Sequence, residues 1–394
     1  MGNTIEFAKL FTKMLDEVQI PGKTTVAMEM NPIQYTGGDE IKVPKMSLSG
    51  LADYDRGTGY VAGAIVSEYE THKISKDRGI SFTIDEMDLD ESGFVVEAGR
   101  VVNMLNREQV VPEVDAYRYS KIFSLANANL KTKSYTLADA TIFEELAKDL
   151  STVENIIGEE AGKKIYMSYE AARVLDMADK IEKRLDVVSN NGAVKTKTRY
   201  LDGVEIIRVP SSRFKSAFTF NDGSSAFGFT ATETAMNINW IILPDSAPYG
   251  VMKHDKLKVF SPDINQTTDG WLIQYRLYHD LFIPDNKIPG MLVSYTAIAA
   301  PALTATVAAA TGTGNTSFTA TATTGNTLGY ILGAASPGVL YNELLTKYPT
   351  AVEPYVSGTA FAAAIGQVLT MLEVDTLGRI VKVKEVTLIS ADIT

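Results

Sequence analysis

Cysteine is absent from all 394 residues. Its absence excludes disulfides, thiolate metal sites, cysteine nucleophiles and iron–sulfur clusters, so folding relies on packing and partners. Histidine is scarce: His72, His254 and His279 are the only three. Basic residues are in deficit, with 37 Lys and Arg against 48 Asp and Glu, a net charge of −11 and a pI near 5.0. A surface that grips nucleic acid by counterion release needs clustered Lys and Arg, which this balance opposes. No uninterrupted apolar run reaches the roughly 20 residues of a membrane span. The first twenty residues, "MGNTIEFAKLFTKMLDEVQI", carry Glu6, Lys9, Lys13, Asp16 and Glu17. They lack a signal-peptide core, so the protein is expected to stay where it is made. A myristoylation start needs Ser or Thr at position 6, where Glu6 stands.

Catalytic signatures are missing as well. No metal-ligand spacing, nucleophile elbow or phosphate-cradling lysine occurs. His279 beside Asp280 is the one pairing that resembles an acid–base couple, but neighbours on a strand face opposite sides. His254 with Asp255 reads as a charged turn, and the pairs Glu144–Glu145 and Glu159–Glu160 as solvated faces. The acidic run "DEMDLDESG" places Asp88, Asp90, Ser92 and Gly93 at EF-hand positions one, three, five and six, but position twelve is Gly99 and not the bidentate Glu. Asp and Ser there serve better to cap a helix. The expectation is no catalytic, cofactor or metal residue, and an enzyme only as a remote alternative.

What is present is ordinary globular material, 45% hydrophobic and 22% charged, in a chain long enough for two or three modules. An amphipathic segment over residues 5–18 ends at Pro21–Gly22, and alternation at Val26, Met28 and Met30 reads as strand. "YVAGAIVSEYETHKI" and the segment with Ile80, Phe82 and Ile84 read as an antiparallel ribbon turning at Lys76–Gly79. A two-stranded ribbon is marginal alone in water, so it should lean on something outside itself. A helix follows the acidic run, a second is expected past Pro112, and a third in "LADATIFEELAKDLSTVENI". Next come a strand, "KKIYMS", a helix, "YEAARVLDMADKIEKR", and then mainly strands: "GVEIIRVP", "INWIILP", "LKVFSP", "GWLIQYRLYHDLFIP" and "GMLVSY". The fold class is α+β, without alternating βαβ units. Residues 288–342 hold no charged side chain, and "TGNT" at Thr313 and at Thr324 suits hairpins. A small helix and a hairpin around "TLGR" are expected after residue 358.

The segments "GGDEIKVPKMSLSGLADYDRGTGY", "DRGISFTIDEMDLDESGFVVEAGRVV", "VVPEVDAYRYSKI" and "DGWLIQYRLYHDLFIPDNKIPGMLV" resemble those of tailed-bacteriophage major capsid proteins with the Hong Kong 97-like fold. The resemblance covers about residues 1–300. It implies an N-terminal arm (1–30) and an extended β-hairpin loop region (31–92) lying across a neighbouring subunit. It implies a peripheral domain (93–155 and 255–282) with a spine helix from about Asp90 to Gln109, and an axial domain (156–254 and 283–299). A small β-rich accessory domain (300–394) lies outside that fold, expected on the outer face of the shell.

The implied function is self-assembly as hexamers and pentamers into an icosahedral head around packaged double-stranded DNA, in the virion, assembled in the host cytoplasm. The implied partners are a separate scaffold or protease and a portal protein, with no membrane. No Lys–Asn pair for a covalent cross-link can be placed, and none is expected. Asp55, Arg56, Asp77 and Arg78 are the expected inter-subunit contacts. An encapsulin-like compartment with enzyme cargo is the alternative of the same fold.

Overall fold

The computed structural model describes residues 22–29, 40–57, 59–85, 87, 98–178, 200–266 and 268–394. The segment 5–18 and the acidic run from Asp88 to Gly93, with the helix start assigned to it, lie outside them. Strands β1 (Glu40–Leu48) and β2 (Ile65–Lys73) pair antiparallel from Glu40 opposite Lys73 to Leu48 opposite Ile65. Alternate residues of β1 turn toward the body: Ile41 is buried with Ile74, Val251 and Phe282, and Val43 packs against them.

Strand β3 (Lys76–Asp85) departs from expectation. It does not turn at Lys76–Gly79 or pair with β2; it joins a sheet of order β11–β12–β3 with the long hairpin of β11 (Tyr249–Phe260) and β12 (Gly270–Phe282). The physical reason lies at Ser75, whose backbone N–H and hydroxyl both donate to buried Asp280 on β12. That clamp takes the chain out of the ribbon and starts it along β12. Gly79 then lies so close to β12 that a Cβ would come within 3.1 Å of the Tyr275 carbonyl.

Pro112 does not separate two helices. Helix α1 (Ala98–Leu105) runs through a π turn (Asn106–Val110) into α2 (Val111–Ala128) without a break. The widened turn directly before Pro112 accommodates a ring that would collide with the preceding carbonyls in a regular α-helix. Val26 and Met28 form a 3-10 turn and not a strand, with Met28 buried in the core.

The main sheet has the order β4 (Thr132–Ser134), β13 (Leu292–Thr296), β10 (Asn237–Pro244), β5 (Lys163–Ser168), β7 (Val204–Val209), β6 (Tyr200–Leu201). Helix α3 (Ile142–Ile157) buries Ile142, Leu146, Leu150 and Val153 at i, i+4 and i+3 spacing. Helix α4 (Tyr169–Met177) starts where the Ser168 hydroxyl accepts the Ala171 N–H. These helices cover one face of the sheet around Trp240, and α2 covers the other around Tyr119, Phe214 and Tyr295. A short hairpin, β8 (Phe218–Phe220) and β9 (Phe229–Ala231), stands beside α2.

Beyond Ala299 the chain forms two three-stranded sheets. One is ordered β14 (Ala305–Ala309), β15 (Asn315–Ala320), β17 (Phe361–Ala362); the other β16 (Thr327–Gly333), β18 (Val368–Val374), β19 (Ile380–Thr387). Phe318 stacks on Tyr355 and Tyr330 on Phe361, with edge contacts between the two pairs. The first "TGNT" sits in a hairpin, as expected, because β14 pairs with β15. The second links strands of different sheets: buried Glu373 accepts the Thr323 N–H and the Asn326 amide and steers the chain across. The expected small helix is instead the short strand β17, bounded by positive-φ turns at Gly358 and Gly366. The hairpin around "TLGR" joins β18 to β19.

A polar seam fixes these sheets to the body. The guanidinium of buried Arg379 donates to the carbonyls of Asn342 and Asn127 and to the Thr132 hydroxyl, at 2.9, 3.3 and 3.0 Å. The amides of Asn342 and Asn127 bond each other, and the Tyr295 hydroxyl donates to the Asn342 carbonyl.

Candidate assembly surfaces

Two buried carboxylates set the geometry of the body. Asp115 on α2 accepts five hydrogen bonds: from the backbone N–H and hydroxyl of Thr24, from the same two groups of Thr25, and from Arg213 at 3.1 Å. The segment 22–29 is thereby fastened across α2. Arg118, about one turn along the same helix and fully buried, donates to the Thr25 carbonyl and to Glu29. Gly250 leaves room for it: a Cβ there would stand 3.1 Å from the guanidinium and 3.0 Å from the Met28 carbonyl. Desolvation lowers the pKa of Arg118, opposed by Glu29 and Asp115.

Asp280 is the second hub. It accepts from Ser75, from the Tyr117 hydroxyl at 2.8 Å and from Lys121. Burial pushes its carboxyl up, but the hydrogen bond and charge of Lys121 outweigh that and hold it below the usual range. His279, its neighbour, stands edge to face with the ring of Tyr117, whose hydroxyl bonds Asp280, and has no hydrogen-bond partner at either ring nitrogen. Burial, then the Arg118 charge, lowers its pKa to about 3. The two side chains share no proton. His254 and Asp255 lie inside β11 and not in a turn, and His72 stacks on Phe282. Among the described residues no group of three or more His, Asp or Glu is placed to hold a metal.

The four charged residues singled out from the sequence fall into two environments. Arg78 pairs with Glu113 through two hydrogen bonds and donates to the carbonyls of Asn221 and Gly228, tying the β8–β9 hairpin to β3. Asp77 makes a bidentate pair with Arg276 on the neighbouring strand, at 3.0 and 2.5 Å. Asp55 and Arg56 sit at the exposed tip beyond β1 and β2, where the Asp55 carboxylate accepts the Gly57 N–H and closes the turn. Tyr54 and Tyr60 meet edge to face at that tip, both exposed.

The sequence reading missed the sidedness of the ribbon. On the face defined by Pro44 opposite Tyr69, Met46 opposite Ser67 and Leu48 opposite Ile65, the large side chains are bare: Met46 64%, Leu48 66%, Ile65 72% and Tyr69 68% exposed. The other face packs inward near its root through Ile41 and Val43, with Lys45 near both Glu68 and Asp285 and Glu70 accepting the Asp285 N–H, while farther out Val66 on that face is 51% exposed. The signal was present as alternate apolar positions in "VPKMSL" and "IVSEY", but the pairing register is needed to join them. A second surface is a trough of about 190 Å³ between α1, the π turn and the β11–β12 hairpin, lined by Val102, Leu105, Val110, Leu257, Tyr275 and Asp255.

Comparison with known proteins places this architecture. The chain is similar in structure to a chain of the bacteriophage PhiM1 mature capsid, at 11% identity over 73% of this chain and 91% of that one, with a TM-score of 0.53. It is similar to the capsid structure of cyanophage P-SCSP1u at 15% identity, covering 74% and 94% of the two chains, TM-score 0.53. A chain of Mycobacterium phage Ogopogo matches at 9% identity, 74% and 97% coverage and TM-score 0.50. The chain thus has the mixed α+β fold of phage capsid chains. Residues 308–391 match the family model of the S-layer protein SbsC C-terminal domain, which accounts for the sheets appended beyond Ala299. No curated protein matches the sequence.

Proposed function

We propose that this chain is a phage major capsid protein that assembles as hexamers and pentamers into an icosahedral head around double-stranded DNA. The observation that carries the reading is the capsid-chain fold combined with a ribbon whose large apolar side chains are left exposed by the described residues. A closed shell repeats the same modest contact many times, and the sum holds the container shut. A net charge of −11 suits a wall that confines DNA without adhering to it. The role is structural, not enzymatic; a separate scaffold or protease and a portal protein complete the assembly, which takes place in the host cytoplasm. Among the described residues no helix is long and apolar enough to cross a membrane.

In this arrangement residues 1–30 form the arm, 31–92 the extended loop region, 93–155 with 255–282 the peripheral domain, and 156–254 with 283–299 the axial domain. Residues 300–394 form a module on the outer face. Asp55, Arg56, Asp77 and Arg78 are inter-subunit contacts, the first two at the ribbon tip and the last two on β3, where they are also paired within the chain with Arg276 and Glu113. The test is negative-stain electron microscopy and light scattering of the protein expressed alone and with added scaffold. Closed shells or capsomer rings support the reading, and a small oligomer insensitive to concentration and scaffold refutes it. An encapsulin-like compartment would instead yield shells that hold an enzyme cargo.

A further inference from the structure

We infer that the C-terminal sheets lock the joint between α2 and the main sheet: Arg379 and Asn342 grip both sides of a strained turn at Leu130 and hold the helix at its angle. The lock goes beyond the shell reading, because it acts within one subunit, assembled or not.

The joint is built against backbone preference. Helix α2 ends with the Leu130 N–H donating to the Asn127 carbonyl and the Lys131 N–H to the Ala126 carbonyl, the paired bonds of a Schellman ending. The left-handed position of that ending favours glycine, but here it holds Leu130 at φ 56°. A side chain there strains the backbone, and such a residue persists only where its surroundings fix it. Directly afterwards the chain is committed to the main sheet: Thr132 opens β4 opposite Val293, whose N–H donates to the Lys131 carbonyl. The turn 129–131 therefore sets the angle between helix and sheet.

What fixes the turn comes from beyond residue 300. One nitrogen of the Arg379 guanidinium donates both to the Asn127 carbonyl before Leu130 and to the Thr132 hydroxyl after it. Its planar fork and its charge suit the carbonyl end of a helix. Asn342 exchanges two hydrogen bonds with the Asn127 amide, at 3.2 and 3.1 Å. The Asn342 N–H donates to the Ile380 carbonyl, which anchors it to the appended sheets. Asn342 is itself left-handed, at φ 64°, so strained residues stand on both sides of the seam. Arg379 and Asn342 are buried, and undocking removes their bonds to the joint together. Whatever undocks the C-terminal sheets also frees the angle of α2.

Hydrogen exchange of the whole chain as unassembled subunits, read by mass spectrometry on peptides covering residues 124–134, tests the lock. Asn342→Gly tolerates the left-handed backbone and removes only the amide; it should speed exchange at residues 129–132 about tenfold, with α3 and β18 unchanged. Thr132→Val, which takes an acceptor of Arg379 from the body and leaves the appended sheets intact, should act in the same direction. Leu130→Gly relieves the strain, so adding it to Asn342→Gly should bring exchange back to within about twofold of the native chain. Unchanged exchange at 129–132 in both seam variants overturns the lock, and so does an equal rise across α3, which would mean general loosening. A rise that Leu130→Gly does not offset refutes the strained turn as the element held. These readouts need no shell, so failure of the shell reading leaves them decisive.

Discussion

Replacing His279 with Phe should remove a block of acid sensitivity from the subunit. The imidazole is fully buried against Tyr117, and its surroundings lower its pKa from an ordinary 6.5 to about 3. Below pH 6.5 the unfolded chain takes up a proton there that the folded chain refuses until about pH 3. The unfolded state binds more protons across that window, so stability falls as pH falls through it. Each pH unit is worth about 1.4 kcal/mol per proton, so the step from pH 7.5 to pH 5 costs the native subunit about 2 kcal/mol at this site, and the full window at most about 5 kcal/mol. Asp280 loses its contribution only as pH falls through its own lowered pKa, below the ordinary carboxylate range, so pH 5 isolates the histidine. The assay is urea unfolding of unassembled subunits at both pH values, wild type beside His279→Phe. The native chain should lose about 2 kcal/mol more than the variant; equal losses would refute the assignment of a buried neutral imidazole.

Three further outcomes follow from the packing. Asp115→Ala leaves Arg213 and two threonines without their shared acceptor in the core and should destabilise the subunit by about 3–5 kcal/mol, read from the same urea curves, with residues 22–29 becoming protease-sensitive. Gly270→Ala would place a Cβ 2.3 Å from the Ile84 carbonyl, so it should cost about 1–3 kcal/mol by forcing β3 and β12 apart; an unchanged melting temperature would contradict the register. Arg379→Met removes the donors that join the appended sheets to Asn127 and Thr132 and should speed proteolytic release of the C-terminal module severalfold, while the module's own core stays folded; release at the wild-type rate would contradict the seam.

Local chemistry made much of the architecture legible in the sequence. "KKIYMS", "GVEIIRVP" and "INWIILP" are strands because their near-continuous apolar side chains fill a sheet covered on both faces. The Ser168 cap and the apolar stripe of Ile142–Ile157 gave helices for equally local reasons. What the sequence hid was pairing. Both β2 and β12 alternate in a way that suits β3, and the choice between them is made at Ser75 by Asp280, a residue 205 positions away. Sequence distance also hid Asp115 and Arg118, whose partners lie 89 to 98 positions away and whose helix buries side chains around most of its circumference. Pro112 misled because a π turn, not a helix end, absorbs its ring. The ribbon was half legible: its alternation could be read, but its second strand is β1 and not β3, and only the register from Glu40 opposite Lys73 shows which residues share a face.

The central claim is that many copies of this chain close into a shell. Cryo-electron microscopy of particles purified from cells expressing the chain, alone or with its scaffold, tests it most directly. The account predicts icosahedral shells built of hexamers and pentamers, with each ribbon density crossing onto an adjacent subunit and the C-terminal module projecting outward. A uniform oligomer of a few subunits, with every ribbon folded back on its own chain, would contradict it.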